Sequence, residues 1–267
     1  MHGSMITGPW SGPGSLGVLI DNLLGLAIMT SRPEGRWSVS AEISIDVVSP
    51  VPADGSSLRG TAQLLQADEQ SGLASAEIFD ESGRLVAVCR QRGRFIAQLP
   101  SQSIQDQVRN NQYDAGQEPG TSPAAETSGA SREVREVREV GETALRSLLG
   151  ARPLENGGSG LVLDVTEQLT NPLGNLHGGI SFAACELAGL SALSADQSAS
   201  GLQPGGAPLV TASIHVAYTR PLPIGTVATF VATVLHRGRT LGVAHVVGTN
   251  SAGKTCTVAT VTAHEAG

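Results

Sequence analysis

Apolar and polar positions along the chain fall into two similar series, each a small-residue apolar stretch followed by runs of strict alternation. Residues 13–30 and 178–197 carry apolar residues with no period of two, as a buried helix does. Alternating stretches closed by proline come next: Ser38–Val48 leads to Pro50, and Val210–Tyr218 leads to Pro221. Two further strand patterns follow in each series, joined by Asp80-Glu-Ser-Gly83 in one and Asn250-Ser-Ala-Gly253 in the other. Both turns predict hairpins, because Asp or Asn starts the turn and Gly supplies a positive φ. Pro50 and Pro221 lie 171 residues apart, Gly83 and Gly253 170, and Asp21 and Glu186 165. This register predicts a duplication, with an insertion in the Gly/Pro/Ser-rich stretch 197–208 accounting for the difference. One helix and an antiparallel sheet, twice over, is an α+β fold.

Residues 101–131 break the pattern. They are rich in Gln, Ser, Asn, Gly and Pro and hold almost no large apolar side chain, so they read as a flexible linker. The chain divides into 1–100, the linker 101–131, and 132–267. Arg132–Leu149, with its repeated Arg-Glu-Val, predicts an extra solvated helix, and Leu161–Leu169 a strand. Only about twelve residues precede the first helix, little for a leading strand. Met1–Ser4 before Met5 reads as a remnant of cloning.

Composition narrows the partners. The hydrophobic share is 40% with mean hydropathy near zero, which is that of a soluble globular chain. A net charge of −7 excludes a nucleic-acid partner, since phosphate backbones are bound by basic surfaces. The longest apolar stretch, Leu16–Met29, is interrupted by Gly17, Asp21, Asn22 and Gly25 and is too short to span a membrane. Cys89, Cys185 and Cys256 show neither paired nor metal-type spacing, which places the chain in a reducing cytoplasm. No metal or cofactor motif is present.

The chemistry concentrates in Asn171-Pro-Leu-Gly174-Asn-Leu-His177-Gly178-Gly179-Ile-Ser-Phe182-Ala-Ala-Cys185-Glu186. A strand pattern precedes it and an apolar helix follows, so the glycines open a helix. There the backbone N–H groups lack intrahelical partners and the dipole is positive, which suits a developing oxyanion. Asn171 could add a donor or position a water. His215 and His245 lie on alternating strands and are expected to face solvent or complete a hydrogen bond, and Cys185 to be a small core residue.

This segment resembles the signature of hotdog-fold acyl-CoA thioesterases of the phenylacetate-pathway and 4-hydroxybenzoyl-CoA types. The match is most specific over 171–186, extends weakly to about 264, and recurs in degraded form over 8–96. The resemblance implies a double hotdog whose composite sites draw on both halves, with acyl-CoA or a similar thioester as substrate. It also implies a homo-oligomer of such chains. Asn171, His177, Gly178 and Gly179 would combine with Asp21, as nucleophile or general base, and with Ser40, the strand hydroxyl. Glu186 and Thr211 would serve the other site, where counting back from Asp21 places Gly12 at the His177 position and Pro13 at the Gly178 position. Proline cannot donate, so that site is expected to be dead or repurposed. Arg237 and Arg239, at a strand start, would meet the phosphates of coenzyme A, whereas the first half carries the acidic Ala67–Gln70 there. Two rival readings stay open: a non-catalytic binder of acyl ligands, and a hotdog hydratase or dehydratase.

Overall fold

The computed structural model describes residues 2–6, 13–52, 56–97, 141–155, 157–199 and 209–265. The linker 101–131, the segment 132–140, Gly8–Gly12 and most of the 197–208 insertion lie outside them. The first unit runs β1 (His2–Ile6), a 3-10 turn (Pro13–Leu16), α1 (Gly17–Met29), β2 (Arg36–Val47), β3 (Ser57–Ala67), β4 (Ser71–Phe79) and β5 (Leu85–Ala97). The second runs α2 (Gly141–Leu149), β6 (Arg152–Pro153), β7 (Gly160–Asp164), a 3-10 turn (Glu167–Leu169), α3 (Gly178–Ala199), β8 (Leu209–Tyr218), β9 (Val227–Arg237), β10 (Leu241–Thr249) and β11 (Thr255–Glu265).

All strands join one antiparallel sheet in the order β1-β3-β4-β5-β2-β8-β11-β10-β9-β7-β6. The seam between the units is β2 against β8, from Glu42↔Ala217 to Asp46↔Ser213. Across it Ile43, Ile45, Ile214 and Val216 stand at 1% exposure or less, so the alternation of both strands feeds one core. Leu16, ending the 3-10 turn, and Ile20, Leu24 and Ile28 of α1 recur every four residues and are fully buried, each stabilising the fold by about 1.5–3 kcal/mol. On α3 Phe182, Leu187 and Leu193 are buried beside small residues (Ala184, Cys185, Ala188 and Ala192), and the helix sits close to the sheet at Gly189, where a Cβ would stand 2.9 Å from Val261. Residues Gly178–Ala195 are long and apolar enough to cross a membrane by composition, but 67% of that window is buried, the burial of a core helix.

The duplication extends to irregularities. The β2–β5 ladder bulges between Ser40 and Glu42, and the β8–β11 ladder shifts where Thr211 and Ser213 face Ala263 and Thr262. The bulge residues Leu65 and Leu235 likewise correspond. Both predicted turns close as expected, with Gly83 at φ 82° and Gly253 at φ 71°.

Three expectations change. Leu161–Leu169 is not one strand: β7 stops at Asp164 and a 3-10 turn takes Glu167–Leu169. The first unit does have a leading strand, β1, paired with β3 from His2↔Thr61 to Ile6↔Ser57. Arg237 ends β9 rather than starting a strand, and Arg239 lies in the turn to β10.

Candidate active site

The segment before α3 is folded by its own side chains. Asn171 Oδ1 accepts from the N–H groups of Leu173 and Asn175, and Gly174 takes φ 71° to close the turn. His177 N–H then donates to Leu169 O, and α3 begins. Asn171 therefore orders the turn through its oxygen, and its Nδ2 has no partner among the described residues.

The start of α3 faces α1, and there three donors hold Asp21. Ser40 Oγ donates to Asp21 Oδ1 at 2.6 Å, and Gln91 Nε2 donates to the same oxygen at 3.2 Å. Gly179 N–H is shared, donating to Oδ2 at 3.0 Å and to His177 Nδ1 at 3.0 Å, with Nδ1 3.2 Å from Oδ2. A carboxylate only accepts, so the network has one consistent direction: Gln91 Nε2 also donates to Ser40 Oγ at 2.9 Å, and Ser40 passes its own proton toward Asp21. His177 Nε2 lies 3.1 Å from Asn22 Oδ1. The positive end of α3 favours the charge of Asp21.

One peptide group is clamped at both ends. Tyr218 OH donates to Gly178 O at 2.8 Å while the following N–H, that of Gly179, donates to Asp21. Burial and the neighbouring Asp21 charge push the Tyr218 hydroxyl well above the ordinary phenol value, so it remains a neutral donor. The preceding N–H, that of Gly178, has no partner among the described residues, and Gly178 lines a cavity of about 560 Å³. A Cβ on Gly178 would stand 2.6 Å from Asp21 Oδ2, so only glycine lets the carboxylate come this close.

Asp21, Ser40, Gln91, Asn171, His177 and Gly178 all line that cavity, with apolar walls from Leu26, Met29, Trp37, Val39, Leu176 and Leu222. Arg220, exposed and donating to Thr255 O, is the only cation lining it among the described residues. Arg237 and Arg239 do not line it; Arg237 Nε instead donates to Leu193 O at 3.3 Å, at the far end of α3.

The pseudo-symmetric position is built differently. Gly14 N–H donates to Glu186 Oε2 at 2.5 Å, the counterpart of Gly179 donating to Asp21. That register puts Pro13 at the Gly178 position. Thr211 corresponds to Ser40, and its buried hydroxyl has no partner among the described residues. Val261 stands where Gln91 does, and Val47 and Ala87 are paired across strands as Tyr218 and Thr257 are. The Ser181–Thr257 hydroxyl pair, 3.1 Å apart in the cavity wall, has Leu16 and Ala87 as counterparts. Apart from the acid and the strand hydroxyl, apolar groups have taken over.

Sequence comparison places each unit. Residues 5–95 match the model of the acyl-CoA thioesterase C-terminal domain, and residues 173–257 match that of the thioesterase superfamily. The chain belongs to the thioesterase superfamily. No curated protein matches its sequence. As a double hotdog it superposes on the TesB protein of Mycobacterium avium subspecies paratuberculosis with a TM-score of 0.59 at 12% identity, over 99% of this chain and 93% of the other. The 12:0-ACP thioesterase of Umbellularia californica gives 0.57 at 10%, over 100% and 94%. An acyl-ACP thioesterase of Bacteroides thetaiotaomicron gives 0.52 at 11%, over 99% and 97%. At such identities the likeness is one of fold, the α+β double hotdog.

Gln91, Tyr218 and Arg220 were not singled out from the sequence of this thioesterase. Gln91 left one trace: a polar residue at an inward position of a strand whose repeat counterpart is valine. Tyr218 shows the same contrast against Val47.

Proposed function

We propose that this thioester hydrolase cleaves acyl-CoA at a single composite site, formed where the start of α3 meets α1 and β2. The observation that carries the reading is the pairing of a partnerless Gly178 N–H with a buried carboxylate beside it, both on one cavity. The thioester carbonyl oxygen would take the Gly178 N–H, where the helix dipole stabilises the charge that develops on attack. The carbonyl carbon then lies next to Asp21, which attacks it directly or takes the proton of an attacking water. Ser40 and Gln91 hold Asp21 in place, His177 and Asn171 order the turn, and Tyr218 fixes the Gly178–Gly179 peptide. Collapse of the adduct breaks the C–S bond and expels the thiolate; on the direct route water then hydrolyses the acyl anhydride on Asp21, releasing the acid and restoring the carboxylate. Arg220 at the cavity wall would meet a phosphate of coenzyme A, whereas Arg237 and Arg239 do not line this cavity.

The site with Glu186 would be inert: its oxyanion position is a proline. On this reading residues 1–100 and 132–267 act as two halves of one enzyme, joined by 101–131, in a cytoplasmic chain that assembles with further copies. Thiol release from a panel of acyl-CoAs tests it. Asp21→Asn is expected to lower kcat by about 10³-fold or more, whereas Glu186→Gln changes it by less than about threefold. Equal losses from both variants would overturn the single-site reading. Tight acyl-CoA binding with no thiol release by the wild-type chain would favour a binding protein instead.

A further inference from the structure

The cavity does not end at Asp21. It continues along α1, where Asp21, Asn22, Gly25, Leu26 and Met29 all line it, a spacing that marks one helical face. Opposite them stand Trp37, Ser38 and Val39 of β2 and Ile96 of β5. Past the acid this arm holds no charged side chain, and its walls are mostly aliphatic.

At the corresponding place in the second unit, two leucines stand among the described residues. In the repeat register Gly25 corresponds to Leu190, and Ser38 corresponds to Leu209. Leu190 and Leu209 both pack onto the cluster of Leu193, Ala244 and Ala263, filling the space between α3 and its strands. In the first unit two small residues replace two leucines, and a Cβ on Gly25 would find no atom nearer than Gln91 Nε2 at 3.7 Å. Glycine in mid-helix costs about 0.8–1.0 kcal/mol against alanine. Here the missing side chain leaves cavity rather than relieving a close backbone contact.

We infer that Gly25 and Ser38 open an acyl arm along α1 and set the chain-length preference, for straight, uncharged, medium-length acyl groups. The inference rests on the proposed thioesterase site, because the carbonyl is anchored at Gly178 and Asp21. From Asp21 to Met29 α1 rises ~12 Å at about 1.5 Å per residue. With C–C bonds of about 1.5 Å and angles near 111°, an extended alkyl chain advances roughly 1.25 Å per carbon. The arm therefore accepts about eight to ten carbons. Gly25 stands about one turn beyond Asp21, so a large side chain there stops the chain after about four to six.

The test measures binding of saturated alkyl-CoA thioethers from C4 to C16, which cannot be hydrolysed, beside turnover of the matching acyl-CoAs. Wild-type affinity is expected to rise to about C8–C10 and then level off. Gly25→Leu should move that plateau to about C4–C6 and lower the C10-to-C4 preference by about tenfold or more, the scale of discrimination by shape in an apolar pocket. Ser38→Leu should act in the same direction. Gly25→Leu raises helix propensity at an open position, and a melting curve confirms its fold. A thioether profile unmoved by either substitution overturns the arm, even if hydrolysis is brisk. A shifted profile from a chain that releases no thiol would sustain the arm while ending the hydrolase reading.

Discussion

Replacing Gln91 with valine would carry the proposed site toward its pseudo-symmetric counterpart at one position, because valine is what the repeat carries there as Val261. Gln91 is 2% exposed and gives both Nε2 hydrogens to the site, one to Asp21 at 3.2 Å and one to Ser40 at 2.9 Å. A hydrogen bond to a charged group contributes about 1.5–3 kcal/mol, and each 1.36 kcal/mol is about tenfold in rate. If the Asp21 bond is needed in the transition state, kcat falls by roughly ten- to a hundredfold. Folding should respond far less. Gln91 Oε1 is buried with no partner among the described residues, so valine removes an uncompensated acceptor. Asp21 keeps its bonds from Ser40 and Gly179. The expected change in unfolding free energy is within about 1 kcal/mol. Thiol-release kinetics give kcat and KM, and urea titration of the same preparation gives stability. An unchanged kcat, or a loss of activity matched by a loss of several kcal/mol in stability, would refute the positioning role.

Other consequences are as direct. Arg220→Ala is expected to raise KM for acyl-CoA by about tenfold while leaving KM for acyl-N-acetylcysteamine thioesters, which lack phosphate, nearly unchanged; an equal effect on both substrates would remove Arg220 from phosphate binding. Asp80 organises the β4–β5 turn, and the Ser82 hydroxyl, with help from the Arg84 backbone and guanidinium, lowers its carboxyl from 3.8 to about 2. A lowered folded-state value means that this group contributes stability above about pH 4 and that the contribution is lost as pH falls through about 2. A carboxyl-carbon NMR titration should show that midpoint, and Ser82→Ala should move it upward.

The sequence by itself determined the architecture and one half of the site. A helix followed by proline-closed alternating strands, repeated in register, sets which faces are buried, because the side-chain periods of helix and strand are local properties. The Asn171–Gly179 turn was legible for the same reason: it is contiguous, and the hydrogen bonds that Asn171 Oδ1 accepts span only two and four residues. Asp21 and Ser40 came from the resemblance and the repeat register, not from any local mark. Tertiary structure alone decided the rest. Gln91 reaches Asp21 from a strand seventy residues away, and Tyr218 reaches Gly178 across forty, so neither contact leaves a periodic trace. Arg237 and Arg239 made the opposite case: they are basic residues in a glycine-threonine turn, but neither lines the cavity, to which folding brings Arg220 instead. Pairing across a sheet and packing of one helix start against another are non-local, and they determine which side chains of the two similar halves meet around Asp21.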